Sequence, residues 1–146
     1  MKTLKVSLVR ARYPSVWEPT NLMYVSSFIK DRYHGNLEVK ILDGFFDSDE
    51  QILDQVSDSD FVGLSGTTPQ VPHIQKLSKL IKKEYPSIKT IAGGYGPSLQ
   101  PFKFINDSTI DYLVVGEGEQ SMLNIINGNA TQKLVSNIPI ADVDTI

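Results

Sequence analysis

Ile91-Ala-Gly-Gly-Tyr-Gly-Pro97 and, further on, Val114-Val-Gly-Glu-Gly-Glu119 decide how this chain folds. Each joins a short apolar run to a glycine turn and then to a segment able to form a helix. The runs have the length of a strand. Carboxyl ends of neighbouring strands in an open parallel sheet read this way, and ligands bind at such ends.

Working outward, apolar runs alternate with amphipathic segments. Lys5-Val-Ser-Leu-Val9 reads as a first strand, followed by a loop, Arg10 to Glu18, broken by Pro14. From Pro19, Leu22, Met23, Ser26, Phe28, Ile29 and Tyr33 recur near helical spacing, and Gly35 stops the helix. Leu37 to Leu42 alternates as a second strand. Ser48 or Asp49 then caps a short helix carrying Ile52, Leu53 and Val56. Phe61 to Ser65 is a third strand with the loop Gly66-Thr-Thr-Pro-Gln70. Ile74, Leu77, Leu80 and Ile81 form the stripe of a helix whose lysines, Lys76 to Lys83, read as a solvated face.

Ile88 to Ala92 is the fourth strand, Leu99 to Ile105 a short helix, and Asp111 to Val115 the fifth strand. Glu119 to Asn127 is a last helix, ending at Gly128. Residues 129–146 read as a linker or trailing strand, so the domain is assigned to 1–128. Five strands alternating with helices predict an α/β, three-layer sandwich of flavodoxin/Rossmann-like type, with a parallel sheet in the order 2-1-3-4-5.

Composition agrees with a globular domain. Of 146 residues, 40% are apolar and 21% charged, and the net charge of −3 offers no basic surface for nucleic acid or an anionic membrane. No apolar run approaches the ~20 residues a bilayer requires. The absence of cysteine excludes disulfides, thiolate metal sites and a cysteine-ligated iron–sulfur cluster on this chain, and suits the cytoplasm.

Most chemistries that use this fold class lack their residues here. There is no G-x-x-x-x-G-K-[ST] loop and no G-x-G-x-x-G after the first strand. Ser65 lacks the G-x-S-x-G elbow of a hydrolase. His73 reads as a partly exposed residue near a helix start, serving capping or solvation, and His34 as a helix-end residue. Glu117 and Glu119 read as carboxylates complementing a helix N-terminus rather than as a general-acid pair. What remains is a cleft of strand-end turns: hydroxyls of Ser65, Thr67 and Thr68, and glycines Gly93, Gly94 and Gly96 where a ligand lies against backbone. On this reading the cleft is mostly backbone, small and polar.

The succession Leu64-Ser-Gly-Thr67, Ala92-Gly-Gly94 and Val115-Gly-Glu-Gly-Glu119 resembles a known family. It is similar to the N-terminal cobalamin (vitamin B12)-binding domain of cobalamin-dependent radical S-adenosylmethionine (SAM) enzymes, over roughly residues 5–128. The resemblance implies that cobalamin lies across the carboxyl edge of the sheet, its dimethylbenzimidazole tail inserted beside the third and fourth strands. Ser65, Gly66 and Thr67, with Thr68 beside them, then meet the tail. Gly93 and Gly94 let it pass, and Tyr95, Gly96, Gly116, Glu117 and Gly118 line the rim.

Two departures matter. Many cobalamin domains carry Asp-x-His-x-x-Gly after the first strand, whose histidine ligates cobalt; the loop here has none. The resemblance therefore implies a base-off cofactor without a histidine ligand, its lower face approached by loop one or by Thr68 to Pro72. The cysteines that hold the iron–sulfur cluster beside SAM are also missing. Cluster and SAM then belong to a radical SAM domain in cis or in trans, and the chain is non-catalytic alone, a domain of a methyltransferase-type enzyme. Two other readings stay open: a cofactor-free interaction module of the same fold, and a flavin or nucleotide binder. A bulky residue at Gly94 is expected to separate the first of these from cobalamin binding.

Overall fold

The computed structural model describes residues 2–13 and 20–136. The strands are β1 (Leu4–Arg10), β2 (Leu37–Asp43), β3 (Phe61–Ser65), β4 (Lys89–Gly93), β5 (Tyr112–Val115) and β6 (Leu134–Ser136). The helices are α1 (Thr20–Arg32), α2 (Asp49–Val56), α3 (Val71–Glu84), α4 (Tyr95–Leu99) and α5 (Glu119–Ile126). All pairings are parallel, in the order β2-β1-β3-β4-β5-β6.

The sheet thus has six strands where five are expected. The sixth is three residues long, too short to leave a periodic trace. It forms because β5 would otherwise be an edge with unpaired backbone groups. Leu113 pairs with Leu134 and Val115 with Ser136, and the Leu113 amide donates to the Lys133 carbonyl at 2.7 Å. Residues 14–18 of loop one, the helix start expected at Pro19 and the tail from 137 onward lie outside the described residues.

Two cores sandwich the sheet. Val9, Val62, Leu64 and Ala92 pack against Ile52 and Val56 of α2 and against Val71, Ile74, Leu77 and Ile81 of α3. The opposite strand faces, through Val6, Leu8, Ile91 and Val114, meet Leu22 and Ile29 of α1 and Met122, Ile125 and Ile126 of α5. α2 begins with a capping box: the Gln51 amide donates to Ser48 Oγ at 3.2 Å, and the Ser48 amide donates to Gln51 Oε1 at 2.8 Å. Along α3 the stripe is buried except for half-buried Leu80, but the lysine face is not simply solvated. Lys82 is buried enough to pair with Asp111 at 2.6 Å and to donate to the Ile88 carbonyl. Lys76 pairs with Asp49 at 3.2 Å.

The short helix placed at Leu99 to Ile105 begins earlier. α4 starts immediately after Gly94 and ends at Leu99, and a separate 3₁₀ turn spans Pro101–Lys103. Pro97 falls in the first turn of α4, where its missing N–H costs nothing. Pro101 pushes Gln100 out of helical geometry, to φ −128° and ψ 52°, so no single helix crosses it.

Candidate functional site

Side-chain alternation sets which strand residues look toward α1 and α5. Leu8 pairs with Gly63 and Gly63 with Ile91; one step further along, Ser65 pairs with Gly93. With Val114, these residues share the α1/α5 face. Gly63 and Gly93 put nothing on that face at the centre of the sheet. The helices cannot close the gap, because their own side chains rest on Leu8, Ile91 and Val114 to either side. A cleft of about 370 Å³ results, between the N-terminal turns of α1 and α5 and opening at the carboxyl edge. That size lies in the ~300–1,000 Å³ range of ligand pockets.

The lining corrects the expectation of a small, polar cleft. Its rim is Tyr95, Gly116, Glu117 and Gly118, but its depth is aliphatic: Leu8, Leu22, Val25, Ile91, Val114 and Met122. Polar atoms come from Asn21, Ser65, Ser98 and Glu119. Ser65 is 7% exposed, and its Oγ accepts from Asn21 Nδ2 at 3.3 Å. The Gly116 amide donates to Ser98 Oγ at 3.1 Å, which ties the β5 turn to α4.

Seven of the residues singled out from sequence meet in this cleft: Ser65, Gly93, Gly94, Tyr95, Gly116, Glu117 and Gly118. Gly66, Thr67, Thr68 and Gly96 stand elsewhere, in a seam between the β3 turn and α4. The Thr67 amide and hydroxyl both donate to Gln70 Oε1, at 2.7 and 2.9 Å, and the Gly96 amide donates to the Gly66 carbonyl at 2.9 Å. Gly94 belongs to both places. Its φ of +97° suits only glycine, and a Cβ there would sit 2.8 Å from Ser65 Oγ and 2.9 Å from the Gly66 carbonyl oxygen. Any side chain at Gly94 therefore strikes the β3 turn, so a bulky residue there tests folding before binding.

Sequence reading took Leu22 and Met122 only for core and left Asn21, Val25 and Gly63 without a role. Gly63 carried a usable signal, since an isolated glycine inside a strand marks a missing side chain on a packed face.

Beside the site, His73 does more than cap a helix. Its Nδ1 accepts the Arg12 amide at 2.7 Å, so the ring hydrogen sits on Nε2 and is donated to Asp49 Oδ1, also at 2.7 Å. Arg12 returns to Asp49 through Nη2 at 3.1 Å and donates Nε–H to the Gly44 carbonyl. The root of loop one is thereby tied to α2 and α3. Burial pushes the Asp49 carboxyl up, but bonds from His73 and Lys76 and the nearby Arg12 charge outweigh it and hold it at about 2. A depressed carboxylate stabilises the fold above its unfolded value near 3.8, and that contribution is lost as pH falls through about 2. Urea midpoints measured between pH 4 and pH 2 are expected to show a loss of about 1–2 kcal/mol that Asp49→Asn removes, solvent screening of Arg12 and Lys76 included. An identical acid response in the variant would show that the ion cluster does not stabilise the fold.

Among the described residues no group of three or more acidic or histidine side chains could hold a metal ion, and no helix is long and apolar enough to cross a membrane. The cleft has room for a flat, largely apolar group. Its floor is a cradle that any Cβ at Gly93 would begin to fill.

Known proteins place the cleft in context. The anaerobic magnesium-protoporphyrin IX monomethyl ester cyclase of Rubrivivax gelatinosus is 29% identical over 115 residues, covering 75% of this chain and 20% of that protein. The fold matches that of TsrM, a radical S-adenosylmethionine methyltransferase from Kitasatospora setae. Its structure with cobalamin and a [4Fe-4S] cluster gives a TM-score of 0.72 at 22% identity, over 89% of this chain and 26% of that one. Its structure with tryptophan and a SAM analogue also gives 0.72, at 23% identity, over 88% and 27%. The chain thus spans about a fifth of the cyclase and about a quarter of the methyltransferase. The B12 binding domain family matches residues 6–126, from the first strand to the end of α5, and this chain belongs to it.

Proposed function

We propose that this domain holds cobalamin by its nucleotide tail, with the cobalt unligated by any histidine, for a radical SAM enzyme of methyltransferase type. The observation that carries the reading is the glycine-floored aliphatic cleft at the carboxyl edge. A flat heterocycle inserted over Gly63 and Gly93 would be covered by Leu22, Val25 and Met122 and would lose its water. Ser65, Gly93, Gly94, Tyr95, Gly116, Glu117 and Gly118 are the contact residues. Gly66, Thr67, Thr68 and Gly96 hold the wall behind them. Residues 1–128 carry the binding unit, and β6 closes its outer edge.

The histidine positions support the base-off state. His34 lies between α1 and β2, at the amino edge of the sheet, away from the cleft. Both ring nitrogens of His73 are engaged, by the Arg12 amide and by Asp49. Loop one contains no histidine.

When bound, cobalamin supplies a cobalt centre able to carry a methyl group. This chain's residues bind it, orient it and exclude water from its tail. The iron–sulfur cluster and SAM are assigned to a separate radical domain, in cis or in trans, because no cysteine stands here to hold a cluster. A cofactor-free module is disfavoured by the open cleft, since a fold released from its ligand gains by filling such a gap. A flavin or nucleotide binder would want a phosphate loop, which is missing.

The test is a spectral titration with hydroxocobalamin, followed by reduction to cob(II)alamin and electron paramagnetic resonance. Saturable binding is expected, with no superhyperfine splitting from an axial nitrogen. Absence of binding at high protein concentration would remove the proposal, and a nitrogen triplet would overturn the base-off assignment.

A further inference from the structure

We propose that Ser98 is a positioning residue for the bound cofactor: through it α4 acts as a strut that holds the β5 turn at the spacing the cleft mouth requires. The inference rests on the cobalamin reading above and goes beyond it by naming what sets that mouth.

The β5 turn has little of its own to fix it. Gly116 and Gly118 flank Glu117, and glycine visits left- and right-handed backbone about equally. Gly116 stands at φ +88°, and all three residues line the cleft. Among the described residues one hydrogen bond joins 116–118 to the β4 side of the mouth, from the Gly116 amide to Ser98 Oγ at 3.1 Å. A backbone amide can only donate, so the sense of this bond is fixed.

α4 is itself well held. The Ser98 amide donates to the Gly94 carbonyl at 3.0 Å, and the Gly96 amide donates to the Gly66 carbonyl at 2.9 Å. Gly96 and Pro97 between them are buried. One five-residue helix thus reaches the β3 turn through Gly96 and the β5 turn through Ser98, with the β4 turn at its start. Three adjacent strand ends take their spacing from these bonds.

The Ser98–Gly116 bond is exposed, so water replaces it when the hydroxyl is removed and the fold loses little. What is lost is geometry. A freed Gly-x-Gly turn spends part of its time away from the binding conformation, and apparent affinity falls by the fraction that remains competent.

Two measurements test this. Ser98→Ala is expected to weaken hydroxocobalamin binding about tenfold, which corresponds to a turn competent about a tenth of the time. Its melting temperature is expected to change by less than about 3 °C. Ser98→Thr keeps the hydroxyl and is expected to bind within about threefold of the native chain. Amide hydrogen exchange, followed by NMR on the cofactor-free chain, reads the strut directly. The Gly116 amide is expected to be protected roughly tenfold in the native chain and to lose that protection in Ser98→Ala. An unprotected Gly116 amide in the native chain overturns the strut. Native affinity in Ser98→Ala, or affinity as weak in Ser98→Thr as in Ser98→Ala, overturns the positioning role. A native chain that binds no hydroxocobalamin although its Gly116 amide is protected overturns the cobalamin reading beneath it.

Discussion

Gly93→Leu is expected to weaken cobalamin binding by roughly 100-fold while the melting temperature stays close to that of the native chain. The separation of the two effects comes from where Gly93 looks. A Cβ at Gly93 meets only Val114 Cβ, at 3.6 Å, an ordinary contact, and the φ lies outside the left-handed region. The backbone therefore accepts any L-residue, and a strand interior generally gains from replacing glycine. The side chain extends into the space between α1 and α5 that an inserted ring requires. Overpacking such a space costs about 1–3 kcal/mol, and the ligand can avoid that cost only by staying out. Hydroxocobalamin titration and a thermal melt on the same sample check both halves. Undiminished affinity in a folded Gly93→Leu would show that this cleft does not receive the cofactor. Gly63→Ala provides a milder second probe, because its Cβ would approach only the flexible end of Leu8, at 3.1 Å.

Three residues further on, the same glycine turn is expected to behave in the opposite way. Gly96 lies in the first turn of α4, so helix propensity alone predicts that Gly96→Ala stabilises by up to about 1 kcal/mol. The tertiary contact reverses the sign. An added Cβ would fall 2.6 Å from the Thr67 carbonyl oxygen and 2.7 Å from Val71 Cγ2. The first of these is backbone and cannot turn aside. α4 would have to lift from the β3 turn, which strains or breaks the Gly96 amide bond to the Gly66 carbonyl. The expected loss is about 2 kcal/mol or more, read as a lower urea midpoint at unchanged slope. A raised midpoint would mean that α4 is not seated on that turn.

Gly93 and Gly96 mark how far the sequence could be read. Local pattern showed that both belong to a strand-to-helix turn at the carboxyl edge. It also read β3, β4 and β5 as strands and α3 as an amphipathic helix, because apolar period and turn chemistry are properties of neighbouring residues; the order of the strands was the expectation for the fold class. It did not show that one glycine opens a cleft and the other closes a seam. That depends on which face of β4 meets α5 and which end of α4 meets Val71, contacts between segments far apart in the chain. β6 stayed one of two readings of 129–146, linker or trailing strand, for a related reason: its three residues acquire strand geometry from the unpaired edge of β5 rather than from their own preference. His73 looked idle because its partners, Arg12 and Asp49, lie 61 and 24 residues away.

The sequence by itself determined the parallel α/β order, the glycine turns at three adjacent strand ends, the loop after β1 without histidine and the lack of cysteine. Through its motifs it also pointed to a cobalamin domain. Only the tertiary structure decided that the cleft is aliphatic in depth, that Gly63 shares its floor, that Asn21 reaches Ser65 and that four of the expected contact residues form the wall behind. The division is physical. Composition and short-range pattern set what each segment is, whereas the face a residue presents to a ligand is set by helices that pack across the sheet after long excursions of the chain.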